Sequence, residues 1–412
     1  MGRPMPLPAE AELVGLKAHP FVPEGVNDPA SGDERLPIKA TPFHWRDPRT
    51  IPPREWVYGW HYVRRFLSTT VAPGGVGKSS LTIVEALAIC TGRPLLGVTP
   101  AESCAVWLWN GEDPAEELER RVGAAMLHFS IRPEDVEGRL FLDSGRTSSI
   151  VIAEQTKSGA VVAVPVVADL EATILENKIG VAILDPFVAA HRVSENDNGM
   201  IEQVAKALAG VADRTRAAVE VVHHVRKTGG AEVTVEDGRG ASALLNAARC
   251  SRAINQMSQE EADKYGVENR RLYFHAYDGK ANLAPPADRR DWFGLVTVDL
   301  GNETAARPTD HVGVVGAWQP PDVLEKITVE HLHEVRRRVG DVEYRKDPQA
   351  KEWIGKLVAE VAGLNLSDKR DMNTVKAAIA SWLKSGALKR GEAKCPRGHL
   401  RPIIVRGEFN GG

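Results

Sequence analysis

The hydrophobic pattern changes character twice along the chain. The first fifty residues carry many prolines and no sustained periodicity, which predicts an arm or linker over 1–50. From about Trp56 to Asp299, short apolar runs of β character alternate with segments of helical spacing. That alternation predicts a twisted, mostly parallel sheet between helices, an α/β core over 51–306. The clearest strand runs are 66–71, 104–109, 139–142, 181–184, 219–222 and 272–276. A polar, proline-bearing stretch at 307–321 reads as a linker. Beyond it, KEWIGKLVAEVAGL and NTVKAAIASWLKSGAL keep helical spacing, and HLRPIIVRG reads as extended. Helices followed by a basic strand pair predict a small winged-helix-like domain over 322–412.

Composition narrows the class. A chain of 412 residues, 43% hydrophobic and 26% charged, is globular and long enough for two or three domains. No apolar run reaches the length of a membrane span, and MGRPMPLPAEAELVG lacks a secretory pattern, so a cytoplasmic protein without a membrane partner is expected. Cys90, Cys104, Cys250 and Cys395 share no spacing, which argues against a disulfide framework or a zinc cage. Cys395 and His399 could form half a metal site, and no second pair lies near them in sequence. The net charge of −3 conceals an asymmetry. Residues 322–412 hold 18 Lys+Arg against 13 Asp+Glu, and the rest of the chain holds 34 against 42. A basic tail on an acidic protein suggests a local polyanion contact; the bland competitor is a solvated surface.

The strongest motif is FLSTTVAPGGVGKSSLTIVEALAI. A β-rich run ends at Val71, a glycine-rich loop follows, and an apolar helix begins near Lys78. This is the setting of a phosphate-binding loop. Pro73, Gly74, Gly75, Val76, Gly77, Lys78, Ser79 and Ser80 are the candidate phosphate-binding residues. The glycines let backbone N–H groups face phosphate oxygens, and the helix amino end adds its positive pole. Lys78 would reach the β- and γ-phosphates of ATP, and the Ser79 hydroxyl would ligate Mg²⁺. Ala72 stands where such loops usually begin with glycine, a position that mainly shapes the turn.

A magnesium site also needs a carboxylate at a strand end. IGVAILDPF supplies Asp185, followed by Pro186 where many P-loop ATPases place a catalytic glutamate. The general base is therefore sought in AVWLWNGEDPAEELERR. There Asp113 reads as a helix N-cap, Pro114 as N1 and Glu116 as N3. Glu112, outside the cap, has no structural job and is the candidate base; its competitor role is a plain surface acid. AAVEVVHHVRK ends a third strand in His223–His224, where one ring, with His224 favoured, could hydrogen-bond the γ-phosphate.

In order and spacing, VAPGGVGKSSL, NGEDP, LDPFVAAH, VVHHVRK, GRGASALLNAARC and YDGKANLAPPADRRDWF resemble the RecA-like ATPases, specifically the RepA-type hexameric replicative helicase of broad-host-range plasmids. The resemblance covers roughly 71–293. It implies a homo-oligomeric ring, hexameric in that family, that hydrolyses ATP between subunits. It also implies that Glu112 is catalytic, Asp185 is the Walker B aspartate and His224 senses phosphate. Arg249, and with it Lys280, would act on the neighbouring subunit's nucleotide. The competing role for Arg249 and Arg252, which both lie in a β-like run, is an intrachain salt bridge. Asn282 stands where hexameric helicases of the wider class often carry a further arginine, which leaves the division between Arg249 and Lys280 open.

In such a ring, loops 191–199 and 226–240 would line a pore for single-stranded DNA. Arg226, Lys227 and Arg239 are the candidate contacts there, although Glu232, Glu236 and Asp237 share the second loop. Lys389, Arg390 and Arg397 would present the C-terminal domain to duplex DNA or a replication partner. A protein-binding winged helix without nucleic acid is the alternative. The function expected is an ATP-driven DNA helicase or translocase of plasmid or mobile-element replication. The alternatives are an ATP-switched DNA-binding regulator and a recombination mediator of the RecA or KaiC kind.

Overall fold

The structure, a computed structural model, describes residues 40–156, 159–225, 232–237, 241–284, 290–394 and 400–407. The chain divides into two units, residues 1–53 and 54–412. In the first, the described residues contain one 3-10 turn, Pro48–Thr50, begun by Asp47, whose carboxylate accepts the Arg49 N–H at 3.0 Å.

In the second unit the apolar runs become strands of one nine-stranded sheet. Six run parallel: β1 (Leu67–Pro73), β2 (Ala105–Asn110), β3 (Leu140–Ser144), β4 (Ile179–Asp185), β5 (Ala218–Val225) and β6 (Cys250–Gln256). Three more, β7 (Tyr273–Ala281), β8 (Asp291–Asp299) and β9 (His311–Ala317), continue antiparallel beyond β6. The spatial order is β9-β8-β7-β6-β1-β5-β4-β2-β3.

Alternation along the strands feeds two cores. Val106, Leu108, Val181 and Ile183 pack with α1 (Lys78–Thr91) and α2 (Ala115–Phe129) on one face. Trp107, Trp109, Ala182 and Leu184 pack with α3 (Val164–Glu176) and α4 (Asn198–Thr215) on the other. A strand covered on both faces must be apolar throughout, and every residue of β4 is buried.

The six predicted strand runs all fall on strands of this sheet. The stretch 307–321, however, is more than a linker, because it contains β9. HVGVVGA holds two glycines, poor strand formers, so its order comes from its neighbours. It pairs with β8 along its whole length, and Ser80 of α1 locks its outer side. The Ser80 hydroxyl donates to Gly313 O at 3.2 Å and accepts the Val315 N–H at 3.0 Å. The antiparallel strands therefore curl over the α1–α2 layer, where Arg120 of α2 also meets Asp310 at 3.1 Å.

A buried ionic network stitches α1 to the sheet. Arg252 of β6 donates to both Glu85 oxygens, at 2.6 and 2.7 Å, and to Thr70 Oγ1 at 2.8 Å. Glu220 of β5 accepts from His61 at 3.0 Å and from Thr70 at 2.5 Å. Removing one member of such a pair leaves a buried charge and costs about 3–5 kcal/mol. Arg252 is thus the intrachain salt bridge that its strand position allowed.

The last ninety residues form three helices, α5 (Val329–Arg338), α6 (Ile354–Ala362) and α7 (Lys369–Lys384), then a hairpin of β10 (Leu388–Lys394) and β11 (Leu400–Arg406). Val335, Trp353, Leu357, Ile379, Trp382 and Ile404 share their core, a winged-helix-like arrangement. The amino end of α7 docks on the helix Gln259–Tyr265. There Lys369 pairs with Asp263 at 3.0 Å and Asn373 donates to the Asp263 carbonyl. Among the described residues no helix is long and apolar enough to cross a membrane.

Candidate functional site

The carboxyl ends of β3, β2, β4, β5 and β1 bring Ser144, Asn110, Asp185, His224 and Pro73 to one edge of the sheet. Asn110 stands in register with both Ser144 and Asp185, and His224 with Ala72. In open α/β sheets this edge is where ligands bind. The strand of the phosphate loop and the strand of Asp185 are separated by β5 alone.

After β1 the chain turns through Gly74–Gly77 and enters α1. Gly77 caps the helix at φ +107°, a conformation that side chains rarely adopt, and a Cβ there would crowd Phe274 Cε1 of β7 at 3.0 Å. No side chain caps α1, which leaves its first N–H groups facing the loop's concavity. At Gly74 and Gly75 nothing lies within 4 Å of where a Cβ would be. Together these make an open cradle of N–H donors at a helix amino end, the arrangement that receives an anion.

Lys78 is buried inside this cradle and donates to Pro73 O at 3.2 Å and to His224 Nδ1 at 3.0 Å. Burial lowers its ammonium below the ordinary value, against the pull of Asp185 and Glu112. Burial, with Lys78 beside it, takes His224 down to about 4, so the ring is neutral near pH 7. Ser79 Oγ donates to Asp185 Oδ2 at 2.6 Å. Burial pushes the Asp185 carboxyl above its ordinary value; Ser79 and Lys78 pull it back, and Glu112 adds to the rise. Glu112 is exposed, yet its charge reaches both groups, which puts it on the same side of the sheet edge.

The turn that presents Glu112 is held by residues that motif reading passed over. Asn110 Oδ1 accepts the Glu112 N–H at 3.0 Å and the Asp113 N–H at 2.8 Å. Gly111 N–H donates to Asp185 O at 2.9 Å, and a Cβ on Gly111 would overlap Ala189. Arg146 Nε donates to Glu112 O at 2.6 Å, and Ser144 Oγ to Asp113 O at 2.5 Å. The sequence signal for this clamp is an Asn just before a glycine at a strand end, the Asx-turn pattern. The expected cap at Asp113 is corrected. Pro114 occupies the N-cap position with no side-chain cap, and the Asp113 carboxylate instead pairs with Arg121 at 2.8 Å.

These residues fit a nucleoside triphosphate with magnesium. Lys78 has no carboxylate within ion-pair distance among the described residues, Asp185 is a buried acid that gains from a facing cation, and the cradle is open. A cavity of about 20 Å³, room for one water, lies against Ser79, Asn110 and Asp185. Of the predicted loop residues, Val76 is buried in the core and Ser80 has its hydroxyl committed to β9, so their N–H groups are what could face a phosphate.

Arg249 and Lys280 are not brought to this edge. Arg249 is exposed in the bend before β6, and its N–H donates to Leu67 O at 2.9 Å, at the start of β1. The seven residues of β1 put that point about 20 Å from Pro73 at roughly 3.3 Å per residue. Lys280 of β7 stands opposite Ser251 and donates to the Leu245 carbonyl. Burial and the nearby Arg249 lower its ammonium.

Arg226, Lys227, Arg239 and Arg397 lie outside the described residues, as do Cys395 and His399. Lys389 and Arg390 are exposed on β10. In loop 226–240, the described residues 232–237 are pinned to the core, with Val233 bonded through both backbone groups to Asn255. Glu232 pairs with Arg290 at 3.0 Å.

Residues 32–230 match the family model described as an AAA domain. Among solved structures, the crystal structure of the RadB recombinase is similar over 57% of this chain and 89% of that chain, at 15% identity and a TM-score of 0.38. The phosphate loop at the end of β1, with an acid-bearing strand one place removed, gives this core the layout of a P-loop nucleotide-binding domain, and the AAA-domain match runs across both.

Proposed function

We propose that this chain is an ATP-driven DNA helicase or translocase that works as a six-membered ring in the replication of a plasmid or other mobile element. The observation that supports it best is the separation of the cations. Lys78 sits in the phosphate loop, whereas Arg249 is exposed about 20 Å away at the far end of β1, too far to serve its own loop. A docked neighbour could bring Arg249 and Lys280 to that loop and complete it.

In this reading Ser79 and Asp185 would hold magnesium, which when bound neutralises charge on the phosphate oxygens. Glu112 accepts the proton of the attacking water, on a turn fixed by Asn110, Gly111 and Arg146. His224 stays neutral, so its bond to Lys78 reports whether that ammonium is engaged elsewhere. Arg226, Lys227 and Arg239 would track single-stranded DNA by charge, and Lys389, Arg390 and Arg397 would meet duplex DNA or a replication partner.

One observation favours a second reading, an ATP-switched DNA-binding regulator. The amino end of α7, the third helix of the winged-helix-like domain, is held on the core by Lys369–Asp263. The two readings part in one experiment: size analysis with and without Mg-ATP, paired with ATPase turnover and strand separation with and without single-stranded DNA. A helicase shows a ring, turnover raised by single strands, and unwinding. Assembly without stimulation or unwinding would leave the regulator.

A further inference from the structure

The exposed side of α7 carries charge of one sign. Its other side, Val375, Ala378, Ile379 and Trp382, is packed into the core of the C-terminal domain. At helical spacing, the side facing away from that core carries Lys369, Asn373, Lys376, Ala380 and Lys384, with Arg370 beside them. The helix has a single acid, Asp371, which lies off this line and pairs with Lys326 at 2.8 Å. Among the described residues Lys376 and Lys384 make no ion pair. On the hairpin, by contrast, Glu392 stands between Arg390 and Lys394 on one face of β10.

α7 follows α6 through a turn begun by Gly363, left-handed at φ +65°. Where two helices are joined in this way to bind DNA, the second lies in the major groove and its amino-terminal residues meet the base edges. Lys, Arg and Asn are side chains that pair with those edges. Yet the amino end of α7 is already occupied. Lys369 pairs with Asp263 at 3.0 Å, Asn373 donates to the Asp263 carbonyl, and Arg370 lies against Gly266, where a Cβ would overlap its side chain. A duplex cannot take the same place. The Lys369 and Asp263 side chains are 82% and 45% exposed, so their pairing is a weak latch. A duplex, with its dense row of phosphates, competes for Lys369 on better terms.

We propose that the face of α7 from Lys369 to Lys384 binds the major groove of duplex DNA, and that Asp263 latches its amino end to the core until a duplex displaces it. The inference rests on the winged-helix-like arrangement of the C-terminal domain, and no part of it requires strand separation.

The test is fluorescence anisotropy of the full-length chain with a labelled mixed-sequence duplex at about 0.1 M salt. Asp263→Asn, which removes the charge and keeps the shape, should bind the duplex about threefold more tightly than the parent. Glu260→Gln, the same charge change on the same helix at an acid without an ion pair to α7, should bind as the parent does. Lys376→Ala, on the stripe but outside the latch, should bind the duplex about threefold or more weakly and lower its salt slope by about one. Its affinity for a single strand of the same sequence should not change. Circular dichroism confirms that each variant is folded. Equal duplex affinity of Asp263→Asn and the parent overturns the proposal, as does an equal gain in Glu260→Gln. So does unchanged duplex binding by Lys376→Ala with a loss in Arg390→Ala, which would put the DNA on the hairpin. Equal loss of duplex and single strand in Lys376→Ala, or no duplex binding by parent and Asp263→Asn alike, overturns it too. ATP turnover keeps the helicase reading apart: if single strands do not stimulate the parent, that reading falls and the duplex result stands.

Discussion

Lys78 has two close partners, a backbone carbonyl and a neutral imidazole, and neither is an anion. Its charge is held in a low-dielectric recess without being cancelled, which is what a residue that stabilises phosphate charge requires. The acids around it are arranged unequally. Asp185 is buried and bonded to Ser79, Asp113 is paired with Arg121, and Glu112 has its backbone clamped at both ends while its carboxylate is exposed. Only Glu112 combines a fixed position with access to water. Glu112→Gln should therefore bind ATP as well as the parent does and hydrolyse it about 10²-fold more slowly, since a lost general base typically costs that much. Fluorescent-nucleotide binding and single-turnover hydrolysis read the two quantities separately. Unchanged turnover would pass the role to another carboxylate.

At the scale of elements, the start of α1 depends on β7, a strand far away in sequence. Gly77 is left-handed at φ +107° and Phe274 lies against it, so a side chain there is strained and also crowds that ring. Gly77→Ala should destabilise the protein by roughly 2 kcal/mol or more, combining the left-handed cost with overpacking. Urea unfolding measures it, and a midpoint equal to the parent's would contradict the geometry. The parallel strands were legible in the sequence because burial on both faces forces unbroken apolar runs, as in IGVAILD. The phosphate loop was legible because its chemistry is local. β9 was not, since a glycine-bearing edge strand owes its order to Ser80 and β8. The clamp around Glu112 was missed for a similar reason. Ser144, Arg146 and the Asp185 carbonyl reach that turn from the ends of β3 and β4, a juxtaposition that only the stacked sheet creates.

For the whole molecule, the open question is how a phosphate loop and a cation about 20 Å apart could belong to one reaction. If they meet only across a head-to-tail interface, each nucleotide has two owners, and the two halves can be broken in different chains. Arg249→Ala alone should bind nucleotide normally and lose turnover, because every loop in the assembly lacks its incoming cation. Lys78→Ala alone should also be inactive, because every loop is damaged. Mixed in equal amounts and allowed to exchange, they rebuild intact sites wherever an Arg249→Ala loop faces a Lys78→Ala neighbour, about a quarter of interfaces if assembly is random. ATP turnover of the mixture should then rise well above that of either variant alone, up to that fraction of the parent rate. A cation acting within its own chain predicts no recovery at any mixing ratio. It would also require Arg249 to cross the length of β1, which its place beside Leu67 does not allow.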